Sequence, residues 1–122
     1  MRRILLAEDD SALRVLYGLW IDSAGDEAVA AADGREAIGL LERGPLPDAA
    51  VLDVEMPFVD GLSVCRYLHA RAPGVPIVIV SGSGDVRAAA LAAGASAVLA
   101  KPCRRNELLA ALGTRAVLRA AS

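Results

Sequence analysis

The stretch Ala49-Ala50-Val51-Leu52-Asp53, followed at once by Val54-Glu55-Met56-Pro57, decides how the rest of the chain is read. Four apolar residues end in a carboxylate, and a proline closes the run shortly afterwards. An apolar run this short, bounded by proline, predicts a strand buried on both faces. Its last residue then lies at the carboxyl edge of a sheet, where open α/β folds bind their ligands. A lone carboxylate buried there is costly, so Asp53 is expected to have a cation beside it.

Outward from this strand the same pattern repeats. Ile4-Leu5-Leu6-Ala7 is a short apolar run ending in Glu8-Asp9-Asp10. Asp10 or Ser11 can cap the helix that follows. Its apolar residues recur as Leu13, Leu16, Tyr17, Trp20 and Ala24, a helical spacing, and Gly25 can close it. Val15 and Leu19 lie off that stripe and are expected on an exposed face, either as ordinary surface residues or as a docking surface. Glu27 to Ala31 is a weak strand, placed mainly by the alternation. Asp33-Gly34 starts a second helix carrying Ala37, Ile38, Leu40 and Leu41, stopped by Gly44-Pro45.

Downstream of the central strand, Asp60-Gly61 is a turn signal. A third helix follows with Leu62, Val64, Cys65 and Leu68. His69 falls at the end of its polar face and is expected to be solvated. Pro76-Ile77-Val78-Ile79-Val80 is the clearest buried strand and ends at Ser81. Gly82-Ser83-Gly84-Asp85 leads into an alanine-rich helix ending at Gly94. Ser96 to Ala100 is a fifth strand ending in Lys101-Pro102, and a last helix is expected from Arg105 to about Leu118, with Leu108, Leu109, Leu112 and Ala116 inward. Strand and helix alternate five times with short connections, which predicts a doubly wound α/β domain: a five-stranded parallel sheet covered by five helices.

Composition fits this reading. The chain has 122 residues, 55% of them hydrophobic, enough for one packed domain spanning 1–122. No apolar run approaches the ~20 residues of a membrane span, and the apolar piece after Met1-Arg2-Arg3 is too short for a signal peptide. A cytoplasmic location with no membrane partner is therefore expected, unless a longer parent protein carries an address. The net charge of -2 argues against a nucleic-acid footprint. Cys65 and Cys103 have no metal-ligand spacing and are expected as free thiols.

In a parallel sheet the strand ends share one edge. Glu8, Asp9 and Asp10 follow the first strand, Asp53 the third, Ser81 the fourth and Lys101, the only lysine, the fifth. Clustered carboxylates need a counter-ion, and oxygen ligands of this kind suit Mg²⁺. A lysine and a serine hydroxyl beside them suit a phosphoryl group, with Asp53 as nucleophile. No Walker loop or GxGxxG is present, and no histidine is placed as a general base.

Acid pair, Asp, Ser and Lys-Pro, each after its own strand, together resemble the receiver domains of the bacterial two-component response regulators, a CheY-like superfamily. The resemblance rests on Ile4–Asp10, on Leu52–Pro57 with Asp60-Gly61, on Val80-Ser81-Gly82, on Ala93-Gly94-Ala95 and on Lys101-Pro102. It implies the flavodoxin-like strand order 2-1-3-4-5. It further implies that Asp53 accepts phosphate from a phosphohistidine on a sensor histidine kinase or a histidine phosphotransfer protein. Glu8, Asp9 and Asp53, with the backbone carbonyl of Glu55, would hold Mg²⁺. Ser81 takes the switch position, Lys101 pairs with the phosphoryl group, and a cis Lys101–Pro102 bond is expected. An output domain or target protein would receive the signal, with self-catalysed phosphorylation and dephosphorylation as the only chemistry and no separate substrate.

The departures from the family pattern carry their own expectations. Val98 stands where an aromatic residue is usual, and the segment from Ser81 to Gly94 is about two residues short, so the fourth helix should be short. Readout is then expected away from the usual face of the fourth helix and fifth strand. Arg104 stands where a capping residue is common, so the last helix is expected to start poorly. Val15 and Leu19, with Pro102 and Cys103, are expected to form the surface on which the phosphodonor docks. Two rivals are weighed. A receiver-like binding module that is never phosphorylated is opposed by the intact acid pair, Asp53, Ser81 and Lys101. An aspartate-based phosphatase is opposed by Glu55, where such enzymes carry a second Asp. The residues leave open whether the chain stands alone or was cut from a longer protein.

Overall fold

The structure is a computed structural model that describes residues 1–113. Five strands, β1 (Arg3–Ala7), β2 (Glu27–Ala31), β3 (Ala49–Asp53), β4 (Ile77–Ser81) and β5 (Ala97–Ala100), pair in parallel in the order β2-β1-β3-β4-β5. The helices between them are α1 (Ser11–Ser23), α2 (Gly34–Arg43), α3 (Gly61–Arg71), α4 (Arg87–Ala92) and α5 (Arg105–Ala111), with a single 3₁₀ turn, Gly84–Val86, before α4. The expected architecture and strand order are both present.

The period of two in the central strands sorts their side chains onto two cores. Leu5, Ala7, Ala50, Leu52, Ile77 and Ile79 face α2, α3 and α4 with Ala37, Leu41, Val64, Leu68 and Ala90. Ile4, Leu6, Ala49, Val51, Val78 and Val80 face α1 and α5 with Tyr17, Ile21, Leu108 and Leu112. Both faces are covered, which is why these strands read as unbroken apolar runs. Each fully buried Leu or Ile contributes about 1.5–3 kcal/mol. A one-residue slip of β3 would exchange its two faces, so the pattern fixes the register that carries Asp53 to the sheet edge.

Capping explains where the helices begin. Asp10 accepts from the N–H groups of Ala12 and Leu13 at 2.9 and 3.1 Å. Asp33 caps α2 and Asp60 caps α3, each at 2.8 Å. Gly25 ends α1 with φ +89°, as its place after the helix predicts. The C-terminal part of the last predicted helix, with Ala116 and Leu118, lies outside the described residues.

Several expectations need correction. On α1 the inward residues are Tyr17 and Ile21, with Leu13 and Trp20 half-buried against the same core; Leu16 is 39% exposed, and Ala24 is the half-buried C-cap. The helix is rotated relative to the stripe read from the sequence, because Ile21 extends Tyr17 by one turn. His69 is not solvated. It is half-buried, and its ring packs beneath Gly94, whose φ is +108° and whose added Cβ would lie 2.3 Å from His69 Cγ. Helix α5 does not start poorly: Glu107 accepts the Arg104 N–H at 2.9 Å and supplies the missing cap. Cys103 is 7% exposed within the second core and does not belong to a docking surface. Cys65 and Cys103 are both free thiols, as expected. Helix α4 is six residues long, matching the short fourth helix expected.

Candidate functional site

The site stands at the carboxyl edge of β1, β3, β4 and β5, and each strand delivers one component. β1 and β3 adjoin, with Ala7 opposite Leu52, so Glu8 and Asp53 leave the sheet side by side. Carboxylate oxygens of Glu8, Asp9 and Asp53 lie within 4.8 Å of one another. Glu8 and Asp53 are buried, whereas Asp9 is exposed at the mouth. Lys101, at the end of β5, is the cation that the buried Asp53 called for. Its Nζ is 3.1 Å from Asp53 Oδ2 and 2.8 Å from Glu8 Oε1. The Lys101–Pro102 bond is cis, as the resemblance led us to expect.

The charges do not balance within this group, since one half-buried cation faces two buried carboxylates. Burial first, and then the hydrogen bond and charge of Glu8, push the Asp53 carboxyl up to about 7, although Lys101 pulls it down. For Lys101, burial opposes the charge, but Glu8 and Asp53 outweigh it and hold the ammonium above its ordinary value. Asp53 Oδ1 accepts only a long 3.4 Å bond from the Glu55 N–H. Hard oxygen donors around uncompensated negative charge form a set that suits Mg²⁺, which needs only one or two carboxylates and keeps several waters. The residues present therefore fit the ion.

Ser81 is buried at the end of β4, but its hydroxyl is not directed at the carboxylates. It donates to the Ser83 carbonyl at 3.1 Å and accepts the Ser83 N–H at 3.0 Å. The Glu55 side chain is exposed. Its backbone N–H reaches back to Asp53, and the β3–α3 connection returns through the Gly61 N–H to the Val54 carbonyl at 3.0 Å.

Two positioning residues escape a sequence reading. Arg14, on the first turn of α1, donates to the Glu8 carbonyl at 2.8 Å and to the Asp9 carbonyl at 3.5 Å, fixing the acidic loop by its backbone. The available signal was a basic residue four after Asp10. Gly61 is more than a turn signal: a Cβ there would stand 2.0 Å from the Asp53 carbonyl oxygen. Only glycine lets the start of α3 pass so close to the Asp53 backbone.

Beside the site, Val15 and Leu19 are 61% and 59% exposed, and Leu16 joins them. Phe58, on the β3–α3 connection, is 71% exposed with φ +70°, and the Arg35 guanidinium lies 3.9 Å above its ring. Val98, in the middle of β5 opposite Ile79, is half-buried and packs on the first core. Among the described residues, no helix is long and apolar enough to cross a membrane.

Comparison with known proteins bears on this arrangement. The response regulator MprA of Mycolicibacterium vanbaalenii is 43% identical over 119 residues, covering 96% of this chain and 50% of that protein. MprA of Mycobacterium leprae is 42% identical over 119 residues, covering 96% and 51%. The chain thus spans about half the length of these relatives. Among solved structures, a CheY-like receiver domain protein from Methanospirillum hungatei superposes with a TM-score of 0.85 at 26% identity, covering 98% of this chain and 95% of that one. The receiver domain of the sensor histidine kinase PA1611 from Pseudomonas aeruginosa, solved with a magnesium ion coordinated in its active-site cleft, gives 0.80 at 32% identity, covering 91% and 93%. The family model of the response regulator receiver domain matches residues 4–113. With five strands in the order 2-1-3-4-5 and acids, serine and lysine gathered at one edge, this chain belongs to the response regulator receiver domains of two-component systems.

Proposed function

We propose that Asp53 accepts a phosphoryl group from a phosphohistidine on a sensor histidine kinase or a histidine phosphotransfer protein. The carrying observation is the Asp53 carboxylate at the sheet edge, 3.1 Å from Lys101 Nζ and within reach of Glu8 and Asp9. In the transfer an Asp53 oxygen forms a bond to phosphorus as the phosphorus–nitrogen bond of the donor breaks. The leaving ring nitrogen takes the bonding electron pair, and the donor imidazole, protonated on its other nitrogen, departs neutral. Carboxylates of Glu8, Asp9 and Asp53, with the Glu55 carbonyl, would hold Mg²⁺, which when bound supplies positive charge to offset that of the phosphoryl oxygens. Lys101, 3.1 Å from Asp53 Oδ2, would pair with the same oxygens. It would exchange part of its present ion pairing for the phosphoryl group. Ser81 would leave Ser83 and donate its hydroxyl to the phosphoryl oxygen, carrying the loop before α4 with it.

In this reading the domain is a switch with no separate substrate. It turns over only its own aspartyl phosphate. A neighbouring output domain or a separate target would take the signal, consistent with the MprA relatives being about twice this length. Helix α4 has only six residues and Val98 lacks a ring to rotate, so readout would run through another face. Dimerisation of the phosphorylated protein through α4 and β5 in a crystal would overturn that last point. The reading as a whole is tested by intact mass after treatment with acetyl phosphate and Mg²⁺. One added phosphoryl group, lost in Asp53→Asn and abolished by a chelator, is expected. Absence of the adduct, with phosphate loss shown to be slower than detection, would favour a binding module that is never phosphorylated.

A further inference from the structure

A second site lies at the opposite edge of the sheet, where β1 and β3 begin and α2 ends. A cavity of about 160 Å³ opens there to solvent. Leu5, Val29 and Leu41 line it, with Pro45 and Pro47 of the α2–β3 connection. Two guanidinium groups, Arg3 and Arg43, join this apolar lining. Arg3 Nη1 is shut off from solvent and has no hydrogen-bond partner among the described residues. Arginine stays charged at all accessible pH, so a buried guanidinium N–H without an acceptor is expensive. Two acids adjoin Arg3: Glu27 is its register partner on β2, and Asp48 is engaged with its backbone, the Asp48 carboxylate accepting the Arg3 N–H at 2.8 Å while the Asp48 N–H donates to the Arg3 carbonyl at 2.8 Å. Neither arginine forms an ion pair among the described residues. Arg43 folds back over Gly39, where an added Cβ would lie 3.0 Å from its Nη1.

We infer that this cavity binds a small molecule with an apolar body and a carboxylate head. The carboxylate would pair with the guanidinium groups of Arg3 and Arg43, and the body would fill the space between Leu5, Val29 and Leu41. An apolar cavity of about 150 Å³ takes a benzene ring, which sets the size of the ligand at that of an aromatic or branched-chain acid. The two prolines and the Asp48 clamp hold the walls in place before binding, so little order remains to be imposed. The site is separate from the carboxylate cluster. Arg3 opens β1, and Glu8 follows its far end.

Amide chemical shifts of the folded protein, titrated in parallel with benzoate, benzyl alcohol and inorganic phosphate, test this. Benzoate should saturate shifts at Leu5, Val29 and Leu41 and leave Asp53 and Lys101 unmoved. Benzyl alcohol, lacking the charge, and phosphate, lacking the body, should each bind about tenfold more weakly. Arg3→Met, which keeps the length of the side chain, should weaken benzoate by a similar factor. No saturable shift at the cavity amides, equal affinity for the three probes, or unchanged affinity in folded Arg3→Met would each overturn the proposal. Should Arg3→Met not fold, the three-probe comparison on the wild-type protein decides alone.

Discussion

Replacing Asp53 with Asn should make the protein more stable at alkaline pH while removing the residue that the site is built around. The reason is the count of charges: Glu8 and Asp53 are both buried and share Lys101. Burial and Glu8 raise the Asp53 carboxyl to about 7 in the fold, against roughly 3.9 in an unfolded chain. Between those values the folded protein binds more protons than the unfolded one. Stability attributable to this group therefore falls as pH rises from about 4 to 7 and stays low above. Taken whole, the difference corresponds to about 4 kcal/mol at alkaline pH. Water entering past the exposed Asp9, and relaxation around the group, reduce this to about 1–2 kcal/mol. Asparagine keeps the shape, leaves Glu8 and Lys101 as a one-to-one pair and has no charge to bury. Urea unfolding followed by circular dichroism, with chelator present, should give Asp53→Asn an advantage of about 1–2 kcal/mol at about pH 8 and about a third of that at about pH 5. Adding about 10 mM Mg²⁺ at the higher pH should narrow the gap by stabilising the wild type more than the variant. An Asn variant less stable than wild type at pH 8, or an advantage unchanged between the two pH values, would refute the reasoning.

Three further outcomes follow from the same geometry. Lys101→Met leaves two buried carboxylates with no cation and should cost about 2–4 kcal/mol in urea unfolding at about pH 8, with a smaller loss at pH 5, where Asp53 is protonated; the variant should also fail to form the acetyl phosphate adduct. Gly61→Ala drives a Cβ against the Asp53 carbonyl oxygen, and should lower stability by more than about 2 kcal/mol, read as a fall in Tm, with a slower rate of adduct formation. Val15→Asp places a charge on the exposed patch of α1, and should slow phosphotransfer from the cognate donor while sparing phosphorylation by acetyl phosphate; equal slowing of both would remove Val15 from the docking surface.

Much of this molecule is written along the chain, because its strongest signals are local. Apolar runs of four or five residues, each closed by Gly, Pro or an acid, mark β1, β3 and β4 directly, since a strand covered on both faces has no polar alternation to hide it. Asp10, Asp33 and Asp60 announce three helix starts by a chemistry that acts within three residues. Alternation of strand and helix then dictates a parallel sheet, and a parallel sheet puts every strand end on one edge. Asp53, and the need for a cation beside it, are both legible in the chain alone.

What tertiary structure alone decided involves residues far apart in sequence, or orientations set by neighbours. Periodicity alone does not say that β1 and β3 adjoin, an order expected only through the family resemblance; pairing of Ala7 with Leu52 realises it and makes Glu8 and Asp53 a repelling pair. The rotation of α1 followed from the fit of Tyr17 and Ile21 against the sheet, which left Leu16 outside. His69 packs half-buried because Gly94, twenty-five residues later, has no side chain to keep it out. Cys103 was drawn into the core, and Ser81 turned to Ser83 instead of the carboxylates. The cavity around Arg3 needs β1, β2, α2 and the loop before β3 at once. Local propensity and periodicity act over a few residues; contacts between elements depend on shapes that exist only once the chain has closed on itself.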